Sequence, residues 1–338
     1  MEANKDTLPQ SGGFRRIVLC VDSSEASRCA AAFARRLAGT GTELTIAAVA
    51  LDPHSFAPHA ALSGLDFGVA HKELLEDAAR AIDEARSVIS DTAAAVRTRV
   101  IDLAKEKGDV AHALAREAQG DRADLMILGI RQHHGLVSWF DPSVTDRLSR
   151  LAPCAMIVVP AGYETTRDAG VRRVLIAVDG SPTSLAAVDI GAMLASSDTQ
   201  IRVVYVVDRA IRHGGFARMT LLEDAFVKEG ELAIAAAAGQ LQSLSNVTHA
   251  QASAELISTD ISDDDVSSAL LRDAERWNAD LIVMGTHGRR GGARSYFGSV
   301  PNRVASLVKI PLMLVRERHD EQAPNTDGPD AHGRAGPR

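Results

Sequence analysis

The chain has 338 residues, 46% apolar and 24% charged, which suits a globular protein with room for two domains of ordinary size. A formal net charge of −7 argues against nucleic acid or an acidic membrane surface as the main partner. No apolar run approaches the roughly 18 residues that span a bilayer, the start MEANKDTLPQSGG lacks a signal-peptide core, and Cys20, Cys29 and Cys154 have neither metal nor redox spacing, so the expected location is the reducing cytoplasm.

Residues 1–13 read as a disordered tail. Arg15-Arg16 then leads into IVLCVD, a strand ending at Asp22, and Ser23 and Ser24 can cap a helix over 26–37. Further strands are expected over 43–50, 96–101, 125–128 and 156–159. Between them lie a Pro/His/Gly-rich loop over 52–68 and helices over about 70–95 and 110–118. The loop histidines His54 and His59, and the pair His133-His134, lack a recognisable metal-ligand spacing.

After a linker at 161–170 the order returns. Arg172-Arg173-VLIAVDGS answers Arg15-Arg16-IVLCVDSS, with Asp179 falling 157 positions after Asp22. ADLMILG at 123–129 returns as ADLIVMG at 279–285, and LAPCAMIVVP at 151–160 as LVKIPLMLVR at 307–316. The offset barely drifts, so the chain is an internal duplication with domains over 14–160 and 171–317. Residues 318–338 form a second polar tail. Strands alternating with helices imply a parallel sheet covered on both faces, with ligands beyond the C-terminal strand ends. Asp179 follows the first strand of the second copy and a glycine-rich loop follows its fourth, so two distant segments point to one crevice.

That loop carries the densest information. A short apolar run, Leu281 to Met284, ends on Gly285, then come Gly288, nine residues, Gly298 and Ser299, and a helical stretch through Val308. Glycines admit close backbone approach, and a helix start presents N–H groups and a positive dipole end, which suits a phosphate. Turn formation alone would also use glycine. The full spacing G-x2-G-x9-G-S, flanked by THGR and GSV, resembles the signature of the ATP-binding branch of the universal stress protein family, and the likeness extends over most of the chain.

The resemblance implies two tandem Rossmann-like or flavodoxin-like α/β domains, each with a five-stranded parallel sheet and helices on both faces. It implies ATP, with or without Mg2+, as ligand. By the same likeness Asp179 contacts the adenine, the backbone at Val206 reads the base edge, and Ala177 borders it. Met284 and Gly285 lie on the ribose side, and Gly288, Gly298, Ser299 and Val300 meet the phosphates. Asp179 has a second reading as a turn or N-cap residue. Arg289, Arg290, Arg294 and Arg303 either screen triphosphate charge or form a solvated basic surface. In the first copy Gly129 is kept, but Gln132 and Pro142 replace the next two glycines, although Ser143 remains. Proline has no N–H for a phosphate, so one ATP per chain is expected.

Family members pair through the fifth strand, so 156–159 and 312–315 are expected to pair within the chain as a pseudo-dimer, compatible with a further homodimer. The expected function is ATP binding in a stress response through unidentified partners. The rivals are a slow ATPase or self-phosphorylating enzyme, for which no base or metal-binding carboxylate stands out beside the loop, and an interaction module that binds no nucleotide.

Overall fold

The computed structural model describes residues 13–56, 66–106, 108–131, 142–164, 170–209, 219–244, 251–260, 264–288 and 298–316. Both expected tails, apart from Gly13, lie outside these residues, as do Gln132, His59, His133-His134, Arg289, Arg290 and Arg294. The first half runs β1 (Arg16–Val21), α1 (Glu25–Leu37), β2 (Glu43–Ala50), α2 (Pro53–Phe56), α3 (Phe67–Ile89), β3 (Ala95–Asp102), α4 (Leu103–Glu106), α5 (Val110–Gly120), β4 (Leu125–Ile130), α6 (Pro142–Leu151) and β5 (Ala155–Pro160). The second half runs β6 (Arg173–Ala177), α7 (Pro182–Ala192), β7 (Gln200–Val207), α8 (Met219–Ser243), β8 (Gln251–Ser258), α9 (Val266–Trp277), β9 (Leu281–Gly285), α10 (Ser299–Leu307) and β10 (Leu312–Val315). The long helix of the first half differs from expectation at both ends. The Asp66 carboxylate caps it three residues early, accepting from the N–H groups of Gly68 and Val69. It stops at Ile89 before Ser90-Asp91-Thr92, whose side chains compete for backbone hydrogen bonds.

Each half is a parallel five-stranded sheet, but the two do not stay separate. The strands form one ten-stranded sheet in the order β3-β2-β1-β4-β5-β10-β9-β6-β7-β8. Among the described residues only β5 and β10 pair antiparallel, with Leu312 opposite Val158 and Leu314 opposite Met156. Each half starts on the same clasp. Asp124 accepts from the N–H groups of Arg15 and Arg16 at 2.8 and 3.1 Å, and Asp280 does so from Arg172 and Arg173 at 3.0 and 2.9 Å. Arg36 of α1 holds the linker, donating to the Tyr163 hydroxyl at 2.7 Å and the Gly170 carbonyl at 3.0 Å, and reaches the second half at Asp280, 4.0 Å away.

The inner strands bury both faces, as near-continuous apolar runs in parallel sheets must, whereas the edge strands β3 and β8 are largely exposed. One core joins α1, α3, α7 and α8 to alternate strand positions such as Ile17, Leu19 and Val283. The other joins α5, α6, α9 and α10 to the intervening positions, including Val18, Cys20 and Ile282. All three cysteines are free, and burial pushes the Cys20 thiol far above its ordinary range. No described helix is long and apolar enough to cross a membrane.

Gly129 explains why one glycine survives in both halves. A Cβ there would lie 2.3 Å from the Ala26 carbonyl carbon, so β4 needs glycine to approach the backbone of α1. At the corresponding Gly285 the nearest atom is the methyl of Thr183 at 3.0 Å. Gly129→Ala is therefore expected to destabilise the protein by about 1–3 kcal/mol, and Gly285→Ala by less, because its nearest neighbours, Thr183 and the His287 carbonyl, stand off at 3.0–3.3 Å. Denaturant midpoints of the two variants check the order.

Candidate functional site

The site forms where β6 ends sooner than its neighbour. Val178 N donates to Val204 O at 2.9 Å, and the chain then turns away through Gly180, whose φ of +79° favours glycine. In a parallel ladder alternate residues face alternate neighbours. Val204 O faces β6, so the N–H and C=O of Val206 point to the same side, where β6 has already left. The main chain of Val206 thus offers one donor and one acceptor to the crevice.

Asp179 stands at the turn. Its Oδ1 accepts from Ser181 N at 3.0 Å, and its own N–H donates to Ser184 Oγ at 3.3 Å. Ser181 caps α7, accepting from Ser184 N at 3.2 Å. The turn role of Asp179 is therefore present whatever else its carboxylate does. The first half differs: there Ser27 Oγ donates to Asp22 Oδ1 at 2.5 Å, whereas in the second half Ser184 Oγ donates to Ser181 O at 2.9 Å.

The glycine loop closes opposite. Thr286 N donates to Val315 O at 2.8 Å, and Gly298 N donates to Thr286 O at 3.0 Å. That second bond corrects an expectation: the Gly298 N–H holds the loop closed rather than standing open for a phosphate. Gly298 is the N-cap of α10 and caps with no side chain. Pro301 has no N–H, and the next helical bond runs from Asn302 N to Gly298 O. The open donors at this helix start are therefore the main-chain N–H groups of Ser299 and Val300, reinforced by the dipole.

Gly288 proves to be constrained by Asp179. A Cβ on Gly288 would lie 2.3 Å from Asp179 Oδ2, so the loop lies directly against the carboxylate. Glycine here serves a contact within the protein, as well as any approach by a ligand. In the first half the matching position is Gln132, which lies outside the described residues.

All nine residues expected from the sequence line one cleft of about 510 Å³: Ala177, Asp179, Val206, Met284, Gly285, Gly288, Gly298, Ser299 and Val300. Its volume suits a small organic ligand. Ser184, Tyr205, Asp208, Phe226, Val266, Leu270 and His287 line it too and were not foreseen. Asp208 was within reach of the sequence, because two residues past Val206 is the same side of a strand. Phe226 was not, since α8 reaches the cleft only through tertiary packing. Arg303 turns aside, pairing its Nε with Asp265 Oδ2 at 2.8 Å. Among the described residues no cluster of three or more His, Cys, Asp or Glu side chains could hold a metal.

A doubly wound α/β sheet with a crevice at its switch point, floored by a glycine loop and a helix start, defines a class of small-ligand-binding proteins. Residues 13–160 and 170–316 each match the Universal stress protein family, and the chain belongs to it as a tandem member. It is 28% identical to a universal stress protein of Methanocaldococcus jannaschii over 153 residues, 44% of this chain and 85% of that protein. It is 25% identical to a universal stress protein of Mycobacterium tuberculosis over 202 residues, 58% of this chain and 63% of that one. A universal stress protein crystal structure from Archaeoglobus fulgidus superposes with a TM-score of 0.59 at 15% identity, covering 90% of this chain and 97% of that one, which supports the fold.

The Gly288–Asp179 contact makes a testable pair. Gly288→Ala is expected to cost less than Gly129→Ala, about 0.5–1.5 kcal/mol for the displaced Asp179 side chain, and distinctly less again in an Asp179→Ala background, where the colliding oxygen is gone. Thermal denaturation of the four proteins of this cycle measures the coupling.

Proposed function

We propose that this protein binds one ATP in the cleft of its second half and acts in a stress response through protein partners. The observation that carries the reading is convergence. Strand ends β6, β7 and β9 and the start of α10 bring a main-chain donor and acceptor, an apolar slot and two open helix N–H groups into one cleft. Val206 matches an adenine edge, which needs one donor and one acceptor. Ala177, Phe226, Leu270 and Met284 supply apolar walls for a flat base. Ser299 and Val300 donate to phosphate oxygens at the positive end of α10. If Mg2+ accompanies the nucleotide, its ligands are phosphate oxygens and water rather than a protein cage.

The first half lacks the matching chemistry. Gln132 and Pro142 stand where glycines stand in the second, and the Asp22 carboxylate is engaged by Ser27. Asp208, the unforeseen carboxylate, extends from β7, two strands from β9 and so about 10 Å from the glycine loop across the sheet. It lies on the base side of the cleft, so it is no base for hydrolysis at the terminal phosphate. Binding without appreciable turnover is the reading these positions favour.

The discriminating variant is Ser299→Pro. Gly298 already has φ −58° and ψ 152°, which a following proline requires, and the first helical position tolerates proline best. The fold is expected to survive while one N–H and one hydroxyl are lost. Each hydrogen bond to a charged group is worth roughly 1.5–3 kcal/mol, so ATP affinity is expected to fall about 10- to 100-fold or more. Ser299→Ala, which keeps the N–H, is expected to lose less. Calorimetric titration is expected to give one site per chain; two equivalent sites would contradict the asymmetry between the halves.

A further inference from the structure

Pairing of β5 with β10 leaves β3 and β8 as the edges of the ten-stranded sheet, neither paired on its outer side among the described residues. Exposed strand edges pair with other chains unless charge or cover prevents it. The edges are equivalent in the duplication but differ in chemistry. On β3, Arg97 and Arg99 stand exposed among Glu43, Glu106, Glu117 and Asp121. The strand β8, QASAELIS, has one charge, Glu255, and Arg202 of its own chain pairs with it. Its first six residues are exposed, including Leu256 at 38%.

The flanking helix continues the contrast. Gln240 of α8 donates to Leu185 O and sits against α7, which sets the inward side of the helix. The helical period then turns Ala235 and Ala238 toward the β8 side together with the charges Asp224 and Glu231, while Val227 and Ile234 pack half-buried against the core. On α3 the exposed positions include Lys72, Glu73, Glu76, Asp77, Arg80 and Asp83.

We propose that the β8 edge, with the adjoining side of α8, binds a second copy of this chain through antiparallel β8–β8 pairing about a two-fold axis at Ala254. The ladder fixes the register. Gln251 N donates to Thr199 O and Thr259 N to Val207 O, both at 3.1 Å, so odd-numbered residues face β7. The N–H and C=O groups of Ala252, Ala254 and Leu256 therefore face outward. Centring the axis on Ala254 sets it against its own copy, Leu256 against Ala252 of the partner subunit, and Glu255 against Ser253 of the partner subunit. No like charges meet, and large side chains meet small ones. The equivalent register on β3, centred on Thr98, would set Arg97 against Arg99 of the partner subunit. Pairing β3 with β8 would be head-to-tail and would grow open filaments, whereas β8 with β8 closes as a dimer.

Proline at 254 tests this cleanly, because that residue's N–H points away from β7 and its loss leaves the native ladder intact. Sedimentation equilibrium of the full chain at micromolar concentration is expected to give twice the chain mass. Ala254→Pro and Ala254→Lys are expected to give the single chain mass with an unchanged circular dichroism spectrum, and Thr98→Pro to remain dimeric. Ala254→Cys is expected to form an intermolecular disulfide on mild oxidation, since facing Cα atoms in a hydrogen-bonded pair lie about 5.5 Å apart. A monomeric parent overturns the proposal. So does a dimer that survives both Ala254→Pro and Ala254→Lys, or one that Thr98→Pro dissolves.

Discussion

The antiparallel ladder between β5 and β10 is the constraint on which the rest of the molecule depends. Each five-stranded half would otherwise expose an apolar edge, with Met156, Ile157 and Val158 on one side and Leu312, Met313 and Leu314 on the other. Joining them buries both strands completely and lets each of the two cores run across both halves. Thr286 N, at the start of the glycine loop, donates to Val315 O at the end of β10. The loop that shapes the cleft is therefore anchored on a strand that the other half holds in place. A duplicated chain thus does within one molecule what two copies of a single domain would have to do by association.

Duplication also separates what the fold needs from what a ligand needs. Gly129 and Gly285 occupy the same place, and in the first half the Ala26 backbone leaves no room for a Cβ. That glycine belongs to the fold, which is why it persists beside a loop that has otherwise changed. Gly288 depends on the Asp179 carboxylate lying against it, and Gln132 in the first half accompanies an Asp22 bound instead by Ser27.

Much of this was legible in the sequence for a definite reason. Buried parallel strands write themselves as short apolar runs, and a duplicated chain states each run twice, so the strand pattern and the position of the crevice could be read without coordinates. The nine residues of the cleft came from spacing and from likeness to a family, and they do meet. What escaped was set by tertiary contact. The Gly298 N–H is consumed by Thr286 O, which no spacing announces. Phe226 enters the cleft from α8, which reaches it only through packing on the sheet. The joining of the halves through β5 and β10 was foreseen, but from likeness to the family, since composition and periodicity describe each half alone.

The account rests on a ligand held between the backbone of Val206 and the start of α10. Amide NMR of the full chain titrated with ATP addresses that most directly, because it reads the main-chain groups themselves. Large, saturable shifts at Val206, Ser299 and Val300, with Val49 and the start of α6 unmoved, are the predicted result. Saturating ATP that leaves those three amides in place, or moves their first-half counterparts instead, would contradict it.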